Sequence, residues 1–376
     1  MVRRILILCE YPSLNGGERS MLSVAGPLSQ RGFELVVAAP REGELAEALA
    51  ESAIPHRVWP ENPKGHRVEQ MDRRRELKKL LLDVSPVLVH GNSLSTSRLV
   101  GPVADDLGIP SVGHLRDIVR LSRRAVGDLN RNRQWVAVSQ ATRDYHLRQG
   151  MDPDRGQVIY NGVDTKQFSP RPRSGRLQRE LKIPEGHPVA ICIGQIGMRK
   201  AIDVVLQVFF ELAESHQNLH LAIVGQRHSN KDEAIQYEQS LHRRTDQSAY
   251  RDRVHWLGRR PDIARLMNDV DLLIHAARQE PLGRVLLEAS AAGLPWVATD
   301  AGGTREICSP GIASIALAPV DDAQALAERA GRLLGSPDTA RQVAEQNRRQ
   351  ALETFSIRAC VDALDRLYHQ ILDSPA

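Results

Sequence analysis

Long apolar runs are missing from this chain: no segment is long and apolar enough to span a bilayer. Its opening, Met1-Val2-Arg3-Arg4-Ile5-Leu6-Ile7-Leu8-Cys9, pairs a basic start with a short apolar stretch. That stretch leads into Glu10-Tyr11-Pro12 with no small-residue cleavage site, so a first β-strand is expected here and not a secretory signal. Cysteine is scarce and scattered, at Cys9, Cys192, Cys308 and Cys360, with no C-x-x-C pair. This argues against a disulfide framework and a zinc cage, and reduced cytosol is the expected compartment. Aromatic residues make up only 4% of the chain and the net charge is +4, which gives nucleic acid little to stack on or to be held by. H-E-x-x-H is absent and no His or Cys cluster has ligand spacing, so neither a metal nor any other cofactor is expected.

What is present is the composition of an ordinary soluble protein, 41% hydrophobic and 26% charged, at a length of 376 residues that suits two domains better than one. Short apolar runs at 5–9, 35–39, 87–90, 111–113, 135–139 and 157–160 alternate with amphipathic stretches such as 18–30 and 45–52. That alternation predicts an open, mostly parallel α/β sheet. The plan repeats in the second half, with strands expected at 189–194, 219–225, 254–257, 271–275, 295–299 and 314–317. The predicted architecture is α/β, with two doubly wound Rossmann-like domains facing a cleft. Its parts are an N-terminal domain at 1–168, a polar, proline-rich linker at 169–186, a C-terminal domain at 187–356, and a last helix at 357–376 that returns to the first domain.

The segment Glu280-Pro281-Leu282-Gly283-Arg284-Val285-Leu286-Leu287-Glu288 sets two carboxylates across a glycine, between an expected strand and an expected helix. Two such acids on a helix edge are ordinarily surface charge. Here a second strand follows at Trp296-Val297-Ala298-Thr299, and then a glycine turn, Ala301-Gly302-Gly303-Thr304-Arg305-Glu306, opens another helix. Both loops therefore fall at the ligand-bearing end of a parallel sheet. A helix start at Gly283 offers N–H groups and positive potential to an anion, while Glu280 in the loop and Glu288 on the helix can accept from sugar hydroxyls.

Three further loops fall at the same kind of position. Asn15-Gly16-Gly17-Glu18 follows the first strand and opens the first helix, letting backbone approach a ligand. Its spacing is not G-x-G-x-x-G, and Ala38-Ala39-Pro40-Arg41 stands where a dinucleotide-binding acid would be, which argues against a nicotinamide enzyme. Gly194-Gln195-Ile196-Gly197-Met198-Arg199-Lys200 brings two cations to a helix start, a costly placement that an anionic ligand relieves. His114, in Gly113-His114-Leu115-Arg116-Asp117, is expected in a loop after a strand, with His90 and Asn92 placed similarly. Basic residues cluster at Arg73, Arg74, Arg75, Lys78 and Lys79, and again at Arg116, Arg120, Arg123, Arg124, Arg131 and Arg133. These read as solvated helix faces, or alternatively as contacts to an anionic membrane surface or a phosphorylated acceptor.

In the order and spacing of these motifs, together with Val138-Ser139 and Asn161-Gly162-Val163-Asp164, the chain resembles the GT-B glycosyltransferases of family 4 over nearly its whole length. Those are retaining enzymes that use nucleotide sugars. The resemblance implies that Glu288 binds ribose hydroxyls and Glu280 holds hydroxyls of the donor sugar. Lys200 would neutralise the diphosphate with the backbone of Leu282, Gly283, Arg284 and Val285. Gly16 and Gly17 would line the cleft near the phosphates and acceptor, His114 would stand beside the donor sugar, and the base would lie against Gly258-Arg259-Arg260. Glu280, Lys200 and His114 are the expected catalytic groups. The family usually has arginine where Gln195 stands, with Arg199 expected to substitute for it, and glycine where Ala201 stands. Ala276 and Ala277 replace a common Pro-Ser, and Leu282 a frequent phenylalanine.

The expected function is transfer of a sugar from a nucleotide-sugar donor, a UDP-sugar by resemblance, to an acceptor hydroxyl with retention and without metal, as in glycan or glycolipid biosynthesis. The acceptor is open between a glycan, a lipid-linked and a small molecule. The location is cytoplasmic, with peripheral attachment to the inner membrane face as an extension. The alternatives are another GT-B activity, such as a nucleotide-sugar epimerase or a phosphorylase, and a non-catalytic, membrane-associated sugar-nucleotide-binding protein.

Overall fold

The first strand shows why this chain builds parallel sheets. Its residues Ile5, Leu6 and Leu8 have no exposed surface, so both faces are covered and the strand carries a continuous apolar run. In the computed structural model, which describes residues 3–60 and 70–373, every strand pairing is parallel. Residues 1–2 of the expected opening strand, 61–69 of the expected N-terminal domain and 374–376 of the expected last helix lie outside the described residues.

The chain forms two units, Met1–Gly162 with Ile357–Ala376, and Val163–Ser356. In the first unit the strands are β1 (Arg3–Leu8), β2 (Phe33–Ala39), β3 (His56–Val58), β4 (Leu88–Gly91), β5 (Ser111–Leu115), β6 (Gln134–Ala137) and β7 (Gly156–Val158). Their spatial order is β3-β2-β1-β4-β5-β6-β7. In the second unit they are β8 (Val189–Ile193), β9 (His220–Val224), β10 (Val254–Gly258), β11 (Leu272–His275), β12 (Trp296–Thr299) and β13 (Leu317–Ala318), in the order β10-β9-β8-β11-β12-β13. Each order reverses once, between β1 and β4 and between β8 and β11. Loops leaving the carboxyl ends of strands at such a reversal diverge to opposite faces and leave a crevice where ligands bind.

Successive strand residues point to opposite faces, and the first unit has a core on each. Ile5, Ile7 and Val37 pack with Met21 and Leu28 of the helix Gly16–Ser29 and with Leu364, Leu367 and Tyr368 of the C-terminal helix Ile357–Asp373. Leu6, Leu8 and Val36 pack with Leu77 and Leu81 of the helix Gln70–Val84 and with Leu99 and Val103 of the helix Leu94–Asp106. The C-terminal helix buries Cys360, Val361, Leu364, Leu367, Tyr368 and Ile371, a stripe at helical spacing, and so packs back onto the first unit. Arg31 ties its outer edge through Asp362 and Asp365.

The proline-rich stretch at 169–175 is fastened to the second unit. Buried Asp269 accepts from the backbone of Ser174 (2.6 Å) and Gly175 (3.2 Å) and from the Ser174 hydroxyl (2.7 Å). The expected strand at 314–317 is instead a helical turn, Ala313–Ala316, followed by the two-residue β13. Alanine and serine there continue the tight turn begun at Pro310–Ile312, and only Leu317 and Ala318 reach β12. No helix among the described residues is long and apolar enough to cross a membrane.

Gly225 closes the end of β9 against the loop after β8. Its φ is +151°, and a Cβ there would sit 1.8 Å from the carbonyl oxygen of Gly194. Gly225→Ala is expected to destabilise the protein by about 2–3 kcal/mol through backbone strain and displacement of that loop. Denaturant unfolding measures it, and unchanged stability would contradict the close approach.

Candidate functional site

The loop after β8 delivers Lys200 and the loop after β11 delivers Glu280, so the reversal point of the second sheet brings the two together. Glu280 is 6% exposed; Lys200 Nζ donates to its Oε2, and His275 Nε2, at the end of β11, lies 3.0 Å from the same oxygen. A carboxylate only accepts, so neutral His275 donates to it. Burial lowers the pKa of His275, with the Lys200 charge adding to the effect. For Glu280, burial alone would raise the pKa. The Lys200 charge and the His275 hydrogen bond, with Arg199 beyond them, outweigh it and hold the group well below the usual carboxylate range. Glu280 is therefore an anion in the unliganded protein.

The Lys200 loop is itself braced. Lys200 ends a short 3-10 turn, Met198–Lys200, and Ala201 follows in the left-handed region at φ +48° with no exposed surface. A glycine would adopt this conformation without strain, which is the physical content of the alanine-for-glycine departure at this position. Arg278 spans the turn: its Nη1 donates to the Met198 carbonyl (2.9 Å) and its backbone N–H to the Arg199 carbonyl (2.9 Å). Its guanidinium also makes a two-pronged pair with Asp203 (2.6 and 3.1 Å), which accepts from Tyr237 as well (2.6 Å). Arg199 Nη1 donates to the Gln279 carbonyl at 3.1 Å and stands 3.8 Å from Glu280 Oε1.

On the other side, the Gly303 N–H donates to the Glu280 carbonyl (2.9 Å), so the glycine loop after β12 holds the Glu280 backbone. Gly283, at φ +96°, caps the helix Arg284–Ala292. The first N–H groups of a helix lack intrahelical acceptors, so this start carries positive potential beside Glu280. Leu282 and Val285 are buried, and Glu288 lies one turn into the helix, paired with Arg284 at 3.2 Å. Gln195 is exposed. The guanidinium of Arg260 is engaged by Asp262 (2.9 Å) and Glu180 (2.5 Å), tying the helix Arg176–Leu181 to the loop after β10. The two Asp-x-Asp spacings of the chain, Asp152–Asp154 and Asp269–Asp271, hold backbone: Asp152 accepts from Asp154 N, Asp269 from Ser174 N and Asp271 from Val189 N.

In the first unit, His114 and His90 lie within β5 and β4 and not in loops after them; β5 runs beyond the apolar run at 111–113, while β4 contains His90 as the run at 87–90 does. Both are 4% exposed. His90 Nε2 is 3.1 Å from His114 Nδ1, and His90 Nδ1 is 2.7 Å from the Tyr368 hydroxyl. Arg116 is not part of a solvated basic face. It donates to the Asn92 carbonyl (2.8 Å), Asn92 Oδ1 (2.9 Å), Asn161 Oδ1 (2.7 Å) and His114 Nδ1 (3.2 Å). Gly17 leaves room for it, since a Cβ there would lie 3.0 Å from Arg116 Cδ. Other basic residues are also committed: Arg73 to buried Glu10 (2.9 Å), Arg74 to Asp128 (2.7 Å) and Arg131 to Asp105 (2.8 Å).

The structure thus joins Lys200, Glu280 and Arg199, sets Gly283 against Glu280 at the start of the helix that carries Arg284, Val285 and Glu288, with Leu282 just before it, and groups Gly17 with Arg116 and His114. Sequence reasoning missed His275, Asp203, Arg278, Tyr237, Arg116 and Tyr368. Only His275 carried a usable signal, as a polar residue closing an apolar strand five positions before Glu280.

Residues 174–350 match the family model described as glycosyl transferases group 1, and residues 14–167 that described as Glycosyltransferase Family 4. Spore coat protein SA of Bacillus subtilis is 27% identical across 57% of this chain and 58% of its own length, so the chain spans a little over half of that relative. The GDP-mannose-dependent alpha-mannosyltransferase of Mycobacterium tuberculosis is 27% identical across 82% of each chain. The crystal structure of Anabaena HepE in complex with UDP-glucose superposes with a TM-score of 0.86, covering 98% of this chain and 99% of that one at 23% identity, which speaks to the fold.

Lys200→Met is expected to cost about 3–5 kcal/mol, because it strands a buried carboxylate. Glu280→Leu in the same background should recover most of that, as measured by denaturant unfolding. With its folded-state pKa below the ordinary 4.5, Glu280 contributes stability that is complete above that pH and lost as the pH falls further. Lys200→Met should therefore move acid unfolding to higher pH.

Proposed function

Because the chain belongs to the family 4, group 1 glycosyltransferases of GT-B fold, we propose that it transfers a sugar from a nucleotide-sugar donor, a UDP-sugar, to an acceptor hydroxyl with retention at the anomeric carbon. The observation that carries this reading is the Lys200–Glu280–His275 group, with Glu280 and His275 buried, beside the helix start at Gly283. It offers fixed positive charge for a diphosphate and an acceptor for sugar hydroxyls within one crevice. HepE is solved with UDP-glucose, which favours a uridine donor, whereas the related mannosyltransferase is named for GDP-mannose.

In the proposed reaction the sugar ring gains positive charge and the diphosphate leaves as an anion. Lys200, Arg199 and the first N–H groups of Arg284–Ala292 stabilise the leaving group as preorganised electrostatics, in place of a divalent metal. Arg199 supplies the charge that Gln195 lacks. Glu280, already ionised, accepts from hydroxyls of the transferred sugar, and Glu288 accepts from the ribose. Leu282 and Val285 set the helix start, and Arg260, through Glu180 and Asp262, holds the loop against which the base rests. His114 donates to a hydroxyl of the transferred sugar. The acceptor attacks from the face the diphosphate leaves, and a donor phosphate oxygen takes its proton, so no protein nucleophile is required. The acceptor is a glycan, lipid-linked or small-molecule hydroxyl, with Gly16 and Gly17 on its side of the reaction. The protein acts in the cytoplasm, with peripheral contact to an anionic membrane where the acceptor is lipid-linked.

Glu288→Ala should raise the donor KM by about tenfold, the loss of one charge-assisted hydrogen-bonding group. Lys200→Ala should depress turnover, and EDTA should leave activity intact. Steady-state transfer assays over a panel of UDP- and GDP-sugars check all three, with product stereochemistry read by NMR. Unchanged donor binding and turnover in both variants would sink the assignment.

A further inference from the structure

The hydrogen bonds around His114 admit one proton arrangement. A guanidinium has only donors, so the contact from Arg116 Nη2 at 3.2 Å makes His114 Nδ1 an acceptor. A neutral ring that accepts at Nδ1 carries its proton on Nε2. His90 Nε2, 3.1 Å from that same Nδ1, would otherwise face it lone pair to lone pair, so it donates and shares the single Nδ1 lone pair with Arg116; this leaves His90 Nδ1 to accept from the Tyr368 hydroxyl at 2.7 Å. Burial, with the Arg116 charge adding to it, drives His90 down to about 3 and His114 well below its ordinary value. Burial also raises Tyr368, which stays a phenol and can donate. The chain of donors runs in one direction and stops at His114 Nε2, which is buried and has no partner among the described residues.

We propose that Tyr368, on the C-terminal helix, is a positioning residue that acts through His90 to fix the tautomer and ring orientation of His114, so that His114 presents Nε2–H to a substrate hydroxyl. The role of the Nε2–H rests on the glycosyl-transfer reading; the relay that fixes it does not. Without the phenol, His90 Nδ1 loses its donor and His90 is free to reverse its tautomer. His90 Nε2 and His114 Nδ1 would then face each other as two lone pairs, and either ring turns or His114 moves its proton to Nδ1. In both cases the Nε2–H is no longer held in place. Tyr368 also packs edge-on against Phe33, with ring centroids 5.5 Å apart, so Tyr368→Phe removes the hydroxyl while keeping that packing.

Two measurements on the full chain test the relay. Long-range nitrogen–proton NMR of protein labelled with 15N-histidine at neutral pH should show His90 and His114 each as a single Nε2–H tautomer. Tyr368→Phe should turn the His114 signal into a mixture. Finding His114 as the Nδ1–H tautomer or the cation in the unaltered protein, or an unmoved His114 signal in Tyr368→Phe, overturns the proposal. In transfer assays Tyr368→Phe should lower kcat by about tenfold, the effect of one hydrogen bond, with donor KM little changed. It should add nothing in a His114→Ala background, and little in His114→Gln, whose side-chain N–H does not depend on a tautomer. An equal loss in every background would mark Tyr368 as a packing residue and overturn the proposal. If no sugar is transferred by the unaltered chain, the glycosyl-transfer reading fails while the NMR measurement still decides the relay.

Discussion

A carboxylate removed from water stays ionised only when nearby donors replace the hydration it has lost, and the crevice of the second unit is organised around that demand at Glu280. Lys200 and His275 both approach one oxygen, Arg199 stands further off, and together they outweigh a burial that alone would neutralise the group. Each partner has to be held by something else. Lys200 depends on a 3-10 turn braced by Arg278, Arg278 on Asp203, and Asp203 on Tyr237. His275 is held by being the last residue of β11, and the Glu280 backbone by Gly303 in the loop after β12. The glycine close approach between Gly225 and Gly194 fixes where the Lys200 loop begins. Charge that is assembled before a substrate arrives need not reorganise during reaction, which is the condition under which such groups act most strongly on a leaving anion.

The first unit solves a related problem with neutral groups. Two histidines and a tyrosine are buried there beside a half-buried arginine, and a guanidinium that can only donate leaves a single way to place the protons. Arg116 is thus to the first unit what Lys200 is to the second: one obligate donor from which the state of its neighbours follows. The two differ in outcome. Lys200 secures an anion, whereas Arg116 secures an uncharged ring with a defined hydrogen-bonding edge.

Much of the fold was legible because parallel sheets covered on both faces write themselves as continuous apolar runs, as in Ile5–Leu8 and Leu272–Ile274. Legibility failed where local composition was ambiguous. The alanine-rich 313–316 segment forms a helical turn, and His114 extends a strand that its polarity seemed to end. At the site, the loop positions of Lys200 and Glu280 could be read from strand–glycine–helix order. Arg278 and Tyr237 could not, because Arg278 follows β11 while Tyr237 lies in the helix Asp232–Asp246, and nothing in either segment names the other. Arg116 was misread as one of a basic cluster, since a sequence counts charges but does not say which of them have found a partner.

The sequence by itself determined the periodicity of strands and helices, the loops in which glycine permits close approach, and hence the family and the end of each sheet at which chemistry can occur. Those are local properties, set by residues within a few positions of one another. Only the tertiary structure decided which ionisable groups meet. That choice settled that Glu280 is held as an anion, that Arg260 is committed to Glu180 and Asp262, and that His114 is neutral with its proton on Nε2. A charge state depends on burial and on partners brought together from distant parts of the chain, and neither exists until each sheet has formed and gathered its own loops.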